Sequence, residues 1–587
     1  GWYMAQHFRP GREVVISGRV DQHLGRLVFN SPEWEPLQRE LLHTGRLVPV
    51  YPLTEGIGAR RMRSLIKDTL DYWAPRIVDP LPESVLREER LMGLNEALLQ
   101  IHFPDSHDSL REARRRLCFD EFLLLQLGVL GQRHEWRAQD GLPMDTSRVD
   151  VAAFAAALPY ALTGAQERVI CDILADLERP TPMRRLLQGD VGSGKTVVAV
   201  AAILAAVANG YQAAVMAPTG LLAEQHYRTI GGLLASRPEV RTVLLTGSLS
   251  AADKARIHAQ AEAGEIDVLI GTHALIQETV SLPRLGLVVV DEQHRFGVTQ
   301  RAALGERGAA PPHILAMSAT PIPRSLAMTV YGDLDISVLD EMPAGRQPVI
   351  TAVREDANRE RIYSFIRSQV AKGGQAFIVC PLIEESEGVP GKAAVAEHRR
   401  LQGTVFRDLR LGLVHGRMSA EDKDAAMDAF RRGETGILVA TSVIEVGIDI
   451  PNATVMLIES AGRFGLAQLH QLRGRVGRGE ERSYCILLSD DSSEGALERL
   501  RIMEETEDGF RLAEEDLRMR GPGDFFGVRQ HGLPGLKVAQ LSDTAVLEEA
   551  RAAAQRLFAQ DPELRREEHR HLALSVHNFW SAADAAT

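Results

Sequence analysis

Four cysteines are all that the 587 residues contain, Cys118, Cys171, Cys380 and Cys485, and they are scattered. No two form a C-x-x-C pair and none has zinc-ligand spacing. That excludes a disulfide-stapled scaffold and a cysteine zinc module, and the four read as reduced, mostly buried thiols of a cytosolic protein. Long apolar runs are missing too. None approaches the ~18 residues that a membrane span requires, and no signal peptide is visible. Positive charge is in deficit: 67 Lys and Arg face 79 Asp and Glu, a formal net charge of -12. Total charge alone argues against a nucleic-acid partner, but only weakly, since a local basic track can bind a backbone on an acidic chain. The first residue is Gly1 rather than Met, which reads as a fragment or a processed chain. What is present, 45% hydrophobic and 25% charged residues, is the composition of a soluble globular protein. The length suffices for about three to five domains.

Against that background residues 189–196 stand out. They spell GDVGSGKT, which fits G-x-x-x-x-G-K-[ST], the phosphate-cradling loop. Arg185, Leu186 and Leu187 precede it like the end of a buried strand, and VVAVAAILAAVA follows at residues 197–208 as a helix. Strand, glycine turn and helix are what the motif needs, because backbone N–H groups and a helix N-terminus must point at the phosphates. Gly189, Asp190, Val191, Gly192, Ser193, Gly194, Lys195 and Thr196 are therefore the expected nucleotide-binding residues. Lys195 reaches the β- and γ-phosphates, and the Thr196 hydroxyl ligands Mg²⁺. The competing reading is an ordinary glycine turn with an exposed lysine.

The chain divides around that loop. Residues 1–47 read as β, through EVVISGRV and GRLVFN; Trp2, Tyr3, Phe8, Phe29 and Trp34 either stack on bases or fill a core. Residues 48–158 are mainly helical, with an S-x-x-E capping box at Ser109–Glu112 and a basic run at Arg114, Arg115 and Arg116. Residues 159–342 alternate strand and helix: QAAVMAPT, IDVLIGT, LGLVVVDEQH and HILAMSAT. Residues 343–490 do so again through QAFIVCP, LRLGLVHG, TGILVATS, ATVMLIE and SYCILLS, without a second phosphate loop. Apolar strands with polar ends make parallel α/β sheets whose sites lie at the strand C-termini. Two α/β domains with one phosphate loop imply a nucleotide held in the cleft between them. Residues 491–587 are a charged helical stretch, the glycine-rich GPGDFFG and a helical tail.

Two further patterns carry chemistry. VVVDEQH ends a strand with Asp291 and Glu292 together, so one carboxylate holds Mg²⁺, directly or through water, and its neighbour activates the attacking water. QLRGRVGRG supplies Arg475 and Arg478, three apart and expected on one helical face, as arginine fingers for the γ-phosphate; the bland alternative is a basic surface helix. Ser318 and Thr320, in SAT, either link the phosphate site to moving parts or simply leave a strand. Asp449, in TSVIEVGIDIP, is expected near the same cleft.

Gln166 in LTGAQ, then GDVGSGKT, APTG, GTHA, DEQH, SAT, VIEVGIDIP and QLRGRVGR, resemble the ordered motifs of superfamily 2 helicases. DEQHRFGV, MSATPIPRSLAMTVYGDLD, PNATVMLIESAGRFGLAQLHQLRGRVGRG and GPGDFFGVRQHGLP narrow the resemblance to the bacterial RecG family, over nearly the whole chain. The resemblance implies two tandem RecA-like domains with parallel sheets, a partial OB-like β wedge domain and a helical linker ahead of them. It implies that Gln166 contacts adenine, that Lys195, Thr196, Asp291 and Glu292 bind and hydrolyse MgATP, and that Arg475 and Arg478 complete the site. Thr219, Thr272, Ser318, Thr320 and Thr441 fall in motifs that touch or sense DNA. Arg520 and Gln530 fall in a hairpin and loop that couple hydrolysis to duplex translocation. The implied partner is branched DNA, as replication forks and Holliday junctions, handled by a cytoplasmic monomer with a single-strand DNA-binding protein as a further partner. Gly220, where the family often has Glu, and His531, where Ser is usual, are departures outside the hydrolytic set. The wedge resembles only its second part, which sets fork splitting apart from the motor itself.

Three rivals remain at this level. A transcription-repair coupling factor shares the motor and hairpin but needs a polymerase-binding module, which nothing here resembles. A catalytically idle nucleic-acid binder is opposed by the intact Lys195, Asp291, Glu292, Arg475 and Arg478. A metabolic phosphate-loop kinase has no need of a second α/β domain.

Overall fold

The computed structural model describes residues 11, 13–23, 25–37, 41–247, 249–272, 275, 280–292, 310–319, 334–343, 347–381, 392–445, 450–479, 481–491, 493–520, 534–540 and 542–584. They belong to two compact units, one formed by Gly1–Gly131 with Leu533–Thr587 and the other by Gln132–Gly532.

In the first unit β1 (Val14–His23) and β2 (Arg26–Pro36) pair antiparallel. Gly25, at φ 77, supplies the left-handed residue of the tight turn. Phe29 lies 48% exposed, and the Arg60 guanidinium sits 5.6 Å above the Trp34 ring; Trp2, Tyr3 and Phe8 lie outside the described residues. The helical part is built on the helix His107–Arg137, whose Phe119, Phe122, Leu123 and Leu127 form one apolar stripe. That stripe packs against Leu547, Ala550, Ala554 and Leu557 of the helix Thr544–Gln560 near the end of the chain.

Two local expectations fail in this unit. The helix begins at His107, so Ser109 and Glu112 lie inside it; Ser106 caps it instead, its hydroxyl accepting the Ser109 N–H at 3.0 Å. The basic run is not a surface patch either. Arg116 is fully buried between Asp79 and Asp120, at 2.6 and 2.9 Å. Arg114 pairs with Asp543 at 2.9 Å and Arg115 with Glu549 at 2.6 Å. These pairs fasten the end of the chain to its linker helix.

The second unit holds two sheets in which every described pairing is parallel. The first has the order β5-β6-β4-β7-β8-β3-β9. Its strands are β3 (Arg184–Gly189), β4 (Gln212–Met216), β5 (Thr242–Leu245), β6 (Val268–Gly271), β7 (Leu285–Asp291), β8 (His313–Ser318) and β9 (Asp335–Leu339). The second, ordered β10-β15-β14-β11-β13-β12, contains β10 (Ile350–Glu355), β11 (Gln375–Val379), β12 (Leu411–Val414), β13 (Ile437–Ala440), β14 (Ala453–Ile458) and β15 (Tyr484–Ser489). Each sheet is covered by apolar side chains on both faces, as parallel sheets require. The helices Glu494–Glu505 and Gly509–Arg520 pack on the second sheet through Leu500, Met503 and Leu512. Among the described residues no helix is long and apolar enough to cross a membrane.

Candidate functional site

The phosphate loop leaves β3 at Gly189. A Cβ there would come within 2.5 Å of Ser193 Oγ and 2.9 Å of Leu339 Cβ, so only glycine lets the loop fold back over its strand. Gly192 and Gly194 both have φ 85, the left-handed region that costs glycine little. Helix Lys195–Ala208 starts directly after them. The Lys195 ammonium donates to the carbonyls of Gly189 at 2.8 Å and Asp190 at 2.9 Å, which holds it inside the curve of the loop. Burial pushes its pKa down, and the Arg475 charge adds to that, while Glu292, Asp291 and Asp190 oppose it. Gln166 braces the loop from outside. Its Nε2 donates to the Ser193 carbonyl at 2.9 Å, while its Oε1 accepts the Thr163 N–H in a capping box.

The carboxylates come from the end of β7. Glu292 has φ 55, a left-handed backbone that a non-glycine residue adopts at an energetic cost and that clusters at functional sites. Asp291 Oδ2 lies 2.7 Å from Nε2 of His226, on the helix Gly220–Leu233. Burial pushes the Asp291 carboxyl up, but the His226 charge and hydrogen bond, the Lys195 ammonium and the Glu292 N–H outweigh it and hold it below its ordinary value. His226 moves the opposite way: burial lowers it, and Asp291 with Glu292 more than reverses this. The sequence contains a signal for His226 that is easy to pass over. It stands four residues after Leu222 and four before Ile230, on the buried face of an amphipathic helix.

The second sheet contributes through the helix Leu466–Arg473 and the turn behind it. This helix stops at Arg473, with Gly474 as its cap and Gly477 at φ 79. Arg475 and Arg478 therefore sit on a turn, not on one helical face as their spacing suggested. Arg475 is buried and close enough to shift the Lys195 ammonium. Arg478 is half-buried, its Nε donating to the Gly474 carbonyl at 3.2 Å. Val191 packs against Gly474, where a Cβ would lie 3.0 Å from Val191 Cβ. Two residues not singled out by the motifs complete the contact. His470 Nε2 lies 2.6 Å from Asp190 Oδ1, and its Nδ1 accepts from Arg473 at 2.7 Å. Arg473 in turn donates to the carbonyls of Met503 at 2.9 Å and Thr506 at 3.0 Å. Burial raises the Asp190 carboxyl, but the His470 bond and charge, the Val191 N–H and Lys195 prevail and lower it.

Of the remaining candidates, Thr219 caps its helix, its hydroxyl accepting the Leu222 N–H at 3.3 Å. Thr272 is half-buried just after β6, and Ser318 and Thr441 are buried, the one ending β8 and the other just after β13. Thr320, Asp449 and Gln530 lie outside the described residues, and Arg520 is described only as the last residue of its helix. Neither Asp449 nor Gln530 enters the geometry above.

Residues 163–329 match the DEAD/DEAH box helicase family and residues 357–480 the helicase conserved C-terminal domain. The RecG wedge domain matches residues 2–73, and the C-terminal part of RecG domain 3 matches residues 506–579. An ATP-dependent DNA helicase RecG from Synechocystis sp. is 50% identical over 96% of the chain and 69% of its own length. That of Thermotoga maritima is 46% identical over 94% and 71%. A solved structure of RecG bound to a three-way DNA junction superposes with a TM-score of 0.75 at 42% identity, covering 94% of this chain and 72% of that one. The chain belongs to the RecG family of ATP-dependent DNA helicases.

Proposed function

We propose that this helicase uses ATP to translocate on duplex DNA and remodel branched DNA, regressing stalled forks and migrating Holliday junctions. The observation that carries the reading is the unbroken hydrogen-bonded path from Asp190 through His470 and Arg473 to the Met503 and Thr506 carbonyls. It ties the loop that receives phosphate to the base of the helix pair Glu494–Glu505 and Gly509–Arg520. A change in the loop therefore has a mechanical route out. The branched substrate is supported by the wedge match and by the relative bound to a three-way junction.

In this reading Gln166 recognises adenine, and the residues 189–196 enclose the phosphates. The left-handed glycines and the inward Lys195 fit a polyphosphate. Thr196 and Asp291 offer hard oxygen donors, and among the described residues no cluster of three or more His, Cys, Asp or Glu forms a metal cage. A divalent ion here must share the nucleotide's phosphates, which is how Mg²⁺ is commonly held. Bound there, with Asp291 acting through water, Mg²⁺ would neutralise β- and γ-phosphate charge. Glu292 orients the attacking water and takes its proton. Arg475 and Arg478 stabilise charge on the transferring phosphoryl group. Ser318 and Thr441, with no exposed surface to offer a DNA backbone, serve coupling; Thr219 and Thr272, with Thr320, meet the DNA side. Asp449 is assigned to the nucleotide cleft, and Arg520 and Gln530 to translocation.

The test is the ATPase rate with no DNA, linear single strand, linear duplex and a synthetic fork. Stimulation chiefly by the fork is expected. Stimulation by plain duplex alone would remove junction specificity from the reading, and indifference to DNA would remove the motor. The same reading makes the protein a cytoplasmic monomer that engages a single-strand DNA-binding protein. Sedimentation of the chain alone and with that protein checks both points, and a stable dimer or no co-sedimentation would contradict them.

A further inference from the structure

His226 is a buried polar side chain on an otherwise apolar helix face, 8% exposed, between Leu222, Ala223 and Ile230. Such a position costs stability unless a partner is supplied. The partner is Asp291 Oδ2, at 2.7 Å. A carboxylate only accepts, so the imidazole presents Nε2–H to it. This fixes one oxygen of Asp291, and with it the plane of the carboxylate, which the Glu292 N–H also approaches. The left-handed backbone of Glu292, at φ 55, immediately follows.

We propose that His226 is a positioning residue for the divalent ion of the nucleotide site: its hydrogen bond aims Asp291, and without it the ion binds more weakly. The proposal rests on the reading that Asp291 holds Mg²⁺ through water. His226 itself touches neither nucleotide nor ion. Hydrogen bonds that orient the groups around a metal commonly govern its affinity in this way, their loss costing about 10–100-fold.

The test measures Mn²⁺ binding by electron paramagnetic resonance on the full chain saturated with a non-hydrolysable ATP analogue. A second measurement follows binding of the same analogue in EDTA. His226→Phe keeps the bulk and removes the donor; His226→Gln keeps a donor. The expected result is at least about tenfold weaker Mn²⁺ binding in His226→Phe, near-native Mn²⁺ binding in His226→Gln, and unchanged analogue binding in EDTA for both. Native Mn²⁺ affinity in His226→Phe overturns the proposal, as does equal weakening in both variants, which is what a packing role alone would give. Should His226→Phe fail to fold, His226→Asn, polar but too short to reach Asp291, takes its place with the same outcomes. Asp291→Asn separates the two levels: native Mn²⁺ affinity in that variant would sink the metal reading itself and the proposal with it. Weakening in Asp291→Asn with none in His226→Phe would sink only the positioning role.

Discussion

The chain leaves β3 of the first sheet through Gly189 into a loop with two glycines at φ 85 and an inward lysine. From β11, a central strand of the second sheet, it leaves through Cys380 and Pro381. Pro381 has no N–H to offer a phosphate, and burial pushes the Cys380 thiol well above its ordinary range, so it stays protonated and inert. Beside them the end of β14 is closed by Glu459, paired with Arg359 at 2.8 Å. Two sheets of one plan thus differ in what their strand ends present. The first presents a glycine loop with an inward lysine; the second carries a helix and turn that bring His470 and Arg475 to that loop. Function lies in what is grafted on the plan, not in the plan.

The sharpest way to break this comparison is at Lys195 and Glu292. Lys195→Ala is expected to lower ATP turnover by at least about 10²–10³-fold, the usual cost of losing a charge-stabilising donor. Glu292→Gln is expected to lose about 10²–10⁴-fold, the usual contribution of a general base, while still binding nucleotide. Steady-state hydrolysis and fluorescent-nucleotide titration measure both. Turnover surviving Lys195→Ala would mean that the loop of the first sheet is not the site.

Next comes the loop's shape. Gly194→Ala places a methyl group against the Gln166 amide at a backbone φ of 85, whereas Gly210, at φ 78, has nothing within 4 Å of an added Cβ. Both substitutions carry left-handed strain, of order ~1–3 kcal/mol, but only the first displaces Gln166 from the Ser193 carbonyl. Gly194→Ala should therefore raise the KM for ATP, and Gly210→Ala should change melting temperature alone. Equal effects on KM would show that Gln166 does not shape the loop.

How much of this could be read from residues alone follows from burial. Central strands such as β4, β7, β11 and β14 are buried along almost their whole length and are dominated by apolar residues, so they are legible as runs. The strands that escaped, β5, β9 and β10, are all sheet edges. An edge strand is covered less completely, as the partly exposed pattern of β10 illustrates, so its sequence lacks a continuous apolar signature. The glycine-rich loop 189–196 and the adjacent Asp291 and Glu292 are readable as patterns because each is contiguous in sequence. His470 and Asp190 are 280 positions apart and Arg114 and Asp543 are 429 apart, and no local pattern carries such pairings. The shared helical face expected of Arg475 and Arg478 failed because Gly474 ends the helix first.

A smaller effect tests the bridge between the sheets. His470→Leu leaves the Asp190 carboxylate without its imidazole and removes one of the partners of Arg473. The loss of a hydrogen bond to a buried charge is worth about 1–3 kcal/mol, read as a lower calorimetric midpoint. In the proposed motor it also lowers strand displacement more than ATP hydrolysis. A variant that melts earlier but keeps the native ratio of displacement to hydrolysis would leave the path structural only.

The smallest expected effect sets the carboxylates of the two sheets against each other. Asp190 titrates below its ordinary 3.8 because the His470 bond and its other partners outweigh burial. The folded state therefore binds fewer protons than the unfolded one in that range, and the stability from Asp190 is present above pH ~3.8 and lost as pH falls through the depressed value. Glu459 is the reverse case: burial raises it above 4.5 in spite of Arg359. There the folded state binds the extra proton, so stability declines as pH rises from about 4.5 through the raised value. Urea unfolding across the acid range reads these slopes. Relative to wild type, Asp190→Asn should lose a rising contribution and Glu459→Gln a falling one. Slopes of the same sign would show that the end of β14 is not a desolvated, closed counterpart of the phosphate loop, and the contrast between the two sheets would then rest on Lys195 and the glycines alone.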